Sequence, residues 1–188
     1  MRQGKPSPTP VVALLASALL ASSAIADQRD PRLEKLFIEL KSATTLEMAR
    51  PLEAEIWDIW LRSGNKEVDR LMAIGISEMN NADYDGALDA FTQMVRLAPD
   101  FAEGWNKRAT TLYLMGRYQD SIKDIDKVLA LEPRHFGALS GLGLCNARLN
   151  KDKEALRAFE RASAVDPNMP GVKENIEQLK KRLERESI

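Results

Sequence analysis

The sequence contains one cysteine and one histidine, so the two residue types that dominate metal and nucleophilic sites are almost missing. Cys145 has no second cysteine to close an internal disulfide. His135 has no second imidazole with which to share a metal. No Gly-rich phosphate loop and no nucleophile elbow is present. Neither sign of charge is in excess, with 27 Lys and Arg against 28 Asp and Glu. A general nucleic-acid or anionic-membrane binder would show a basic surplus. The apolar run from Val11 to Ala21 is too short for a membrane-spanning helix, which needs about 20 residues. These absences argue against an enzyme and call for no cofactor and no metal. His135 falls in a turn and reads as a loop residue, since a catalytic base needs a placed partner. Asp120, Asp124 and Asp126 read as a solvated helix face. Cys145 reads as a buried thiol within a helix.

What the sequence does have is a repeat. Pro99, Pro133 and Pro167 stand 34 residues apart. Ahead of each runs the same series of apolar and small positions. Copy one has Leu71, Ile74, Gly75, Ala87, Phe91 and Met94. Copy two has Trp105, Arg108, Ala109, Leu112, Ser121, Ile125 and Val128. Copy three has Leu139, Leu142, Gly143, Ala155, Phe159 and Ala162. Small residues at Gly75, Ala109 and Gly143, facing Ala87, Ser121 and Ala155, let two helix axes approach closely. Each proline ends a helix by removing a donor and disfavouring helical geometry before it. Gly116 and Asn150 share one inter-helix position, and both types tolerate the left-handed backbone that ends a helix. Asp100 and Glu103 are expected to form an N-cap and its capping-box partner. A period of this length with these marks belongs to stacked helix-turn-helix units.

The three copies resemble tetratricopeptide repeats (TPR). The resemblance implies an all-α solenoid, a right-handed superhelix of antiparallel helix pairs with capping helices. The expected divisions are an export signal over 1–26, a degenerate helical hairpin over 27–67, repeats over 68–101, 102–135 and 136–169, and a capping helix over 170–188.

Residues 1–26 have the form of an export signal. Arg2 and Lys5 precede the apolar run, and Ala24-Ile25-Ala26 supplies an A-x-A cut site before Asp27. The expectation is a periplasmic or secreted protein cut after Ala26, with no membrane insertion afterwards. Asp30-Pro31 opens a first helix with Leu33, Leu36, Phe37 and Leu40 on one face. A second, running from about Leu46 to Arg62 and kinked or started late at Pro51, carries Leu52, Ile56, Ile59 and Trp60, with Trp57 one position off. This hairpin is expected to cap the N-terminal end of the array, with its tryptophans in the core. The last helix, from about Gly171 to Arg185, buries Val172, Ile176, Leu179 and Leu183. Lys173, Glu174, Glu177, Lys180 and Lys181 face water.

In TPR proteins the first helices of successive repeats line a concave groove. Matching positions here give Met72, Ile76, Met79 and Asn80 from copy one. Asn106, Thr110, Tyr113 and Leu114 come from copy two, and Leu144 and Arg148 from copy three. Asp69, Glu103, Ser140 and Ala147 fall beside them. Chaperone-binding members clamp a C-terminal carboxylate with a lysine, asparagine and arginine set. The matching positions here hold Met72, Ile76, Gly137 and Gly141, which argues against that clamp. The resemblance therefore implies a scaffold or adaptor that binds a peptide or helix of a protein partner in a bacterial envelope assembly, through an apolar strip. Two alternatives stay open. The array could bind a second copy of itself, or the chain's own hairpin or last helix could fill the groove.

Overall fold

The computed structural model describes residues 30–186, so the expected export signal lies outside the described residues. Among these are nine helices and no strand. They run α1 Arg32–Ser42, α2 Leu46–Trp60, α3 Lys66–Asn80, α4 Tyr84–Leu97, α5 Ala102–Leu114, α6 Tyr118–Leu131, α7 Phe136–Arg148, α8 Asp152–Val165 and α9 Val172–Glu186. Each helix from α3 to α9 packs on the next in sequence.

The small residues sit where helices cross. A Cβ added to Gly75 would lie 2.3 Å from the Phe91 ring, and one added to Gly143 would lie 2.7 Å from the Phe159 ring. Copy two carries Ala109 because the facing side chain is the slimmer Ile125, and Ser121 Oγ donates to the Ala109 carbonyl across the crossing at 2.7 Å. Arg108 breaks the apolar pattern, but it forms a two-pronged ion pair with Asp124, both bonds at 2.7 Å, and lies over Trp105. Asp124 is thus 5% exposed and not on a solvated face. Asp126 is exposed, and Asp120 pairs with Arg117 and Lys123. Ile74, in the Arg108 column, remains 36% exposed on the first helix of the array.

Two caps depart from expectation. Residue Phe101, not Asp100, precedes α5, and no side chain caps that end. Glu103 points into the interior, where a partner outbids the backbone amide. The second helix starts at Leu46, capped by Thr45, and runs through Pro51 to Trp60. At α1 the N-cap is Pro31 and no side chain caps it, although Asp30 one residue earlier accepts the Arg32 N–H at 2.9 Å. Val172 and Leu179 of α9 are buried against α8 residues Ala155, Phe159 and Ala162. Ion pairs Arg182–Asp152 (2.8 Å) and Lys180–Glu160 (3.4 Å) flank that contact.

The larger departure is the hairpin. Its core of Leu33, Leu36, Phe37, Leu40, Ile56, Ile59 and Trp60 is completed by Phe136, with Val165 and Met169 packed against it. Instead of capping the N-terminal end, α1 and α2 lie against the start of α7 and the end of α8. The reason is apolar complementarity: Trp57 and Trp60 of α2 meet His135 and Phe136, and Phe37 of α1 packs on Trp60.

Candidate partner-binding groove

The hairpin and the repeats meet at His135. Its ring lies parallel to Trp60, centroids 4.2 Å apart, while Trp57 meets it edge-on at 5.3 Å. The residue is fully buried and precedes α7, where Nδ1 accepts the Ala138 N–H at 3.1 Å. The ring proton therefore sits on Nε2, which donates to Glu103 Oε2 at 3.1 Å. Asn106 Nδ2 donates to the same oxygen at 3.0 Å, and Lys107 Nζ pairs with Oε1 at 3.1 Å. Burial pushes the Glu103 carboxyl up, but the hydrogen bond from His135 and the charge and hydrogen bond of Lys107 outweigh it and hold it below its ordinary value. His135 thus stands in the turn between copies two and three as expected, but fully buried. It caps a helix with one nitrogen, bonds a carboxylate with the other, and is sealed beneath two tryptophans. Such an imidazole has no free nitrogen to act as a base.

Further contacts fix the hairpin. Arg134 reaches Glu34 at 2.8 Å and lies 4.2 Å over the Phe37 ring, and Asn168 Nδ2 donates to the Ala43 carbonyl at 2.7 Å. Trp57 approaches Gly137 so closely that a Cβ there would lie 3.0 Å from its ring. The N-terminal ends of α5 and α7 on the concave side are thus covered by the chain itself.

The expected groove residues divide accordingly. Met72 is 8% exposed and belongs to the core with Val68, Leu71 and Phe91, against which Met79 also packs. The side chain of Met72 turns into the copy-one core, where Gly75 leaves room beside Phe91, so it does not join an open strip. Asn106 is engaged with Glu103. Ile76, Asn80, Thr110, Leu114, Leu144 and Arg148 are exposed, and Tyr113 is half-buried.

Two adjoining hollows collect the central members. One, of about 180 Å³, is bounded by Asn106, Thr110, Tyr113, Gly141 and Leu144, with Cys145 and Ser121 at its floor. Cys145 Sγ donates to Ser121 Oγ at 3.3 Å, and burial pushes the thiol up. The second, of about 550 Å³, opens between Tyr113, Leu144, Ala147 and Arg148 on one side and Asn175, Leu179, Lys181, Arg182 and Arg185 of α9 on the other. Arg148 Nε donates to the Tyr113 hydroxyl at 3.3 Å, joining copies two and three across the opening. Four cations and no carboxylate line this mouth. The contribution of α9 was missed from sequence, where Lys181 reads simply as water-facing. The signal was the Lys181, Arg182, Arg185 run on the flank beside Leu179.

Comparison with known proteins agrees with this architecture. The tetratricopeptide repeat profile matches residues 72–122 and 106–170. A TPR repeat-containing protein of Rhizobium etli is 33% identical over 177 residues, covering 94% of this chain and 87% of its own. The small glutamine-rich tetratricopeptide repeat-containing protein 2 of Saccharomyces cerevisiae is 26% identical over 59% of this chain, which spans only 33% of that protein. Among solved structures, the Sgt2 TPR domain of Aspergillus fumigatus superposes with a TM-score of 0.62 at 24% identity, covering 65% of this chain and 83% of its own. The first TPR of Spaghetti (RPAP3), bound to the HSP90 peptide SRMEEVD, gives 0.61 at 21% identity over 63% and 94%. With three stacked helix pairs in register and a relative matching nearly end to end, the chain belongs to the tetratricopeptide repeat family, whose members are protein–protein interaction modules.

Proposed function

We propose that this protein is an exported adaptor that holds an acidic segment of a protein partner, carrying one apolar anchor, in the open half of its concave face. The observation that carries this reading is the mouth between α5, α7 and α9. There Tyr113, Leu144 and Ala147 offer an apolar floor while Arg148, Lys181 and Arg185 supply positive charge with no carboxylate in the lining, and Arg182 beside them is held by Asp152 at 2.8 Å. An apolar anchor gives affinity in such a groove, and complementary charge selects the partner and its register. The RPAP3 domain, of the same fold, was solved with the peptide SRMEEVD, which carries two glutamates and an aspartate. In this chain the clamp positions hold Met72, Ile76, Gly137 and Gly141, so the positive charge comes instead from the last helix pair and α9.

Export rests on the basic start, the short apolar run and the Ala24-Ile25-Ala26 site. It places the adaptor in the periplasm or outside the cell, as part of an envelope assembly. N-terminal sequencing of the cell-envelope form should find Asp27 first; a start at Met1 would reject the soluble exported form. Crosslinking pulldown from envelope extract, with wild type beside Arg148→Glu, should show partners that the charge reversal loses. An identical profile from both would reject the cationic mouth as the binding surface.

A second reading, self-association, has its own observation: Ile74 and Ile76 lie exposed on α3, at 36% and 37%. Light scattering on the mature protein decides it, since an adaptor of this kind is a monomer alone.

A further inference from the structure

On the side of the hairpin that faces α8, helix α2 brings Glu53 against Asp166, the residue that ends α8. Asp166 is fully buried, and its Oδ1 accepts the Asn168 N–H at 3.0 Å. Its Oδ2 and the Oε1 of Glu53 are both shielded from solvent, and neither receives a hydrogen bond from a donor among the described residues. Two carboxyl groups thus meet across the contact that holds the hairpin in the groove. Charging Glu53 beside the fully buried Asp166 is unfavourable, so the closed arrangement favours a protonated Glu53.

We propose that the α1–α2 hairpin is a removable internal occupant of the concave face, latched to the third repeat where Glu53 meets Asp166, so that losing the Glu53 proton loosens the cover over the surface beneath. This extends the reading of the concave face as the binding surface and rests on it. The uncovered surface would present His135, Phe136 and Gly137 at the start of α7. It fits an amphipathic helix with aromatic residues three apart, because that is what Trp57 and Trp60 of α2 place there.

The direction follows from the charges around Glu53. Burial pushes its carboxyl up to about 7, with the charge and hydrogen bond of Asp166 acting the same way and Arg50 opposing. Released into water, the group returns to its ordinary value of 4.5. A group that holds its proton more tightly when docked favours docking at low pH, and that preference is lost as pH rises through about 7. Acid favours the docked hairpin, and mild alkali weakens its docking. Solvent screening at the half-buried Glu53 reduces the full effect, leaving a change of about tenfold in the docking equilibrium.

Hydrogen exchange on the full mature chain tests this, at pH 5.5 and 8.5, with rates normalised to intrinsic exchange. The amides of α1 and α2 should lose about tenfold in protection at the higher pH, while those of α4, α6 and α8 hold theirs. Glu53→Gln, and separately Asp166→Asn, should flatten the hairpin's response. Equal hairpin protection at both pH values in wild type would overturn the latch. So would a full response surviving in a folded Glu53→Gln protein, or parallel loss across all helices. No partner is present in this measurement, so a flat result rejects the latch while leaving capture at the cationic mouth standing.

Discussion

Ala82 occupies the inter-helix position of copy one with φ +60°, where copies two and three place Gly116 and Asn150. A left-handed backbone costs an alanine about 1–2 kcal/mol, more than the roughly 0.5–1 kcal/mol that glycine loses through its freer unfolded chain. Ala82→Gly should therefore stabilise the protein by about 0.5 kcal/mol, read as a higher urea midpoint; a lower midpoint would show that the turn is not strained. Gly143 works the other way. With the Phe159 ring 2.7 Å from any added Cβ, Gly143→Leu should cost at least the roughly 1–3 kcal/mol of an overpacked core. An unchanged midpoint would mean the crossing is looser than drawn. Gly143 was legible in the sequence because its column is repeated at a fixed interval, whereas Ala82 was not, because an alanine carries no turn signal of the kind that Gly116 and Asn150 give. Arg108 and Asp124 were legible only as a departure and a charge run, because their pairing substitutes for the apolar contact that the period predicts.

At the scale of the element, the repeat helices could be read from the sequence but the seat of the hairpin could not. Its apolar faces say that α1 and α2 pair and that they must be covered, without saying by what. The bonds that decide the matter span 100 residues from Glu34 to Arg134 and 125 from Ala43 to Asn168, and such contacts leave no periodic trace. The lone histidine was undervalued for the same reason: its partners Glu103 and Trp60 lie on other helices. Glu103 now carries a prediction with a definite sign. Its folded carboxyl lies below the ordinary 4.5, so its stabilisation is complete above that value and is lost as pH falls through the folded one. Glu103→Gln should cost about 1–3 kcal/mol at pH 7, because the charged acceptor for the buried His135 N–H is gone. The difference from wild type should shrink in acid, where a protonated Glu103 resembles the amide. Urea titrations at a series of pH values measure both, and a cost that stays constant into acid would contradict the assigned charge state.

Taken whole, the molecule divides its concave face between an end closed by its own hairpin and an end left open beside α9. Of the expected apolar strip, Met72 is buried in the copy-one core and Met79 packs against it, while Ile76, Leu114 and Leu144 are exposed and Tyr113 is half-buried. Groove positions can be counted from a repeat, but which of them a neighbouring element covers depends on tertiary docking. Tyr113 is the residue on which the open end turns. It borders both hollows, packs against Tyr118 with centroids 5.4 Å apart, and accepts a hydrogen bond from Arg148. Aromatic anchors at the centre of an interface often cost about 2 kcal/mol or more on truncation. Tyr113→Ala should then weaken partner capture by roughly 30-fold, at about 1.4 kcal/mol per tenfold. Thermal stability should fall by less than capture does, because the ring is half-buried and packs against the edge of the Ile125 cluster, outside its buried core. The paired measurement is a quantitative pulldown from envelope extract beside a thermal melt. A folded Tyr113→Ala protein that keeps the full wild-type capture would move the binding surface away from the open mouth, to the convex face or to the hairpin.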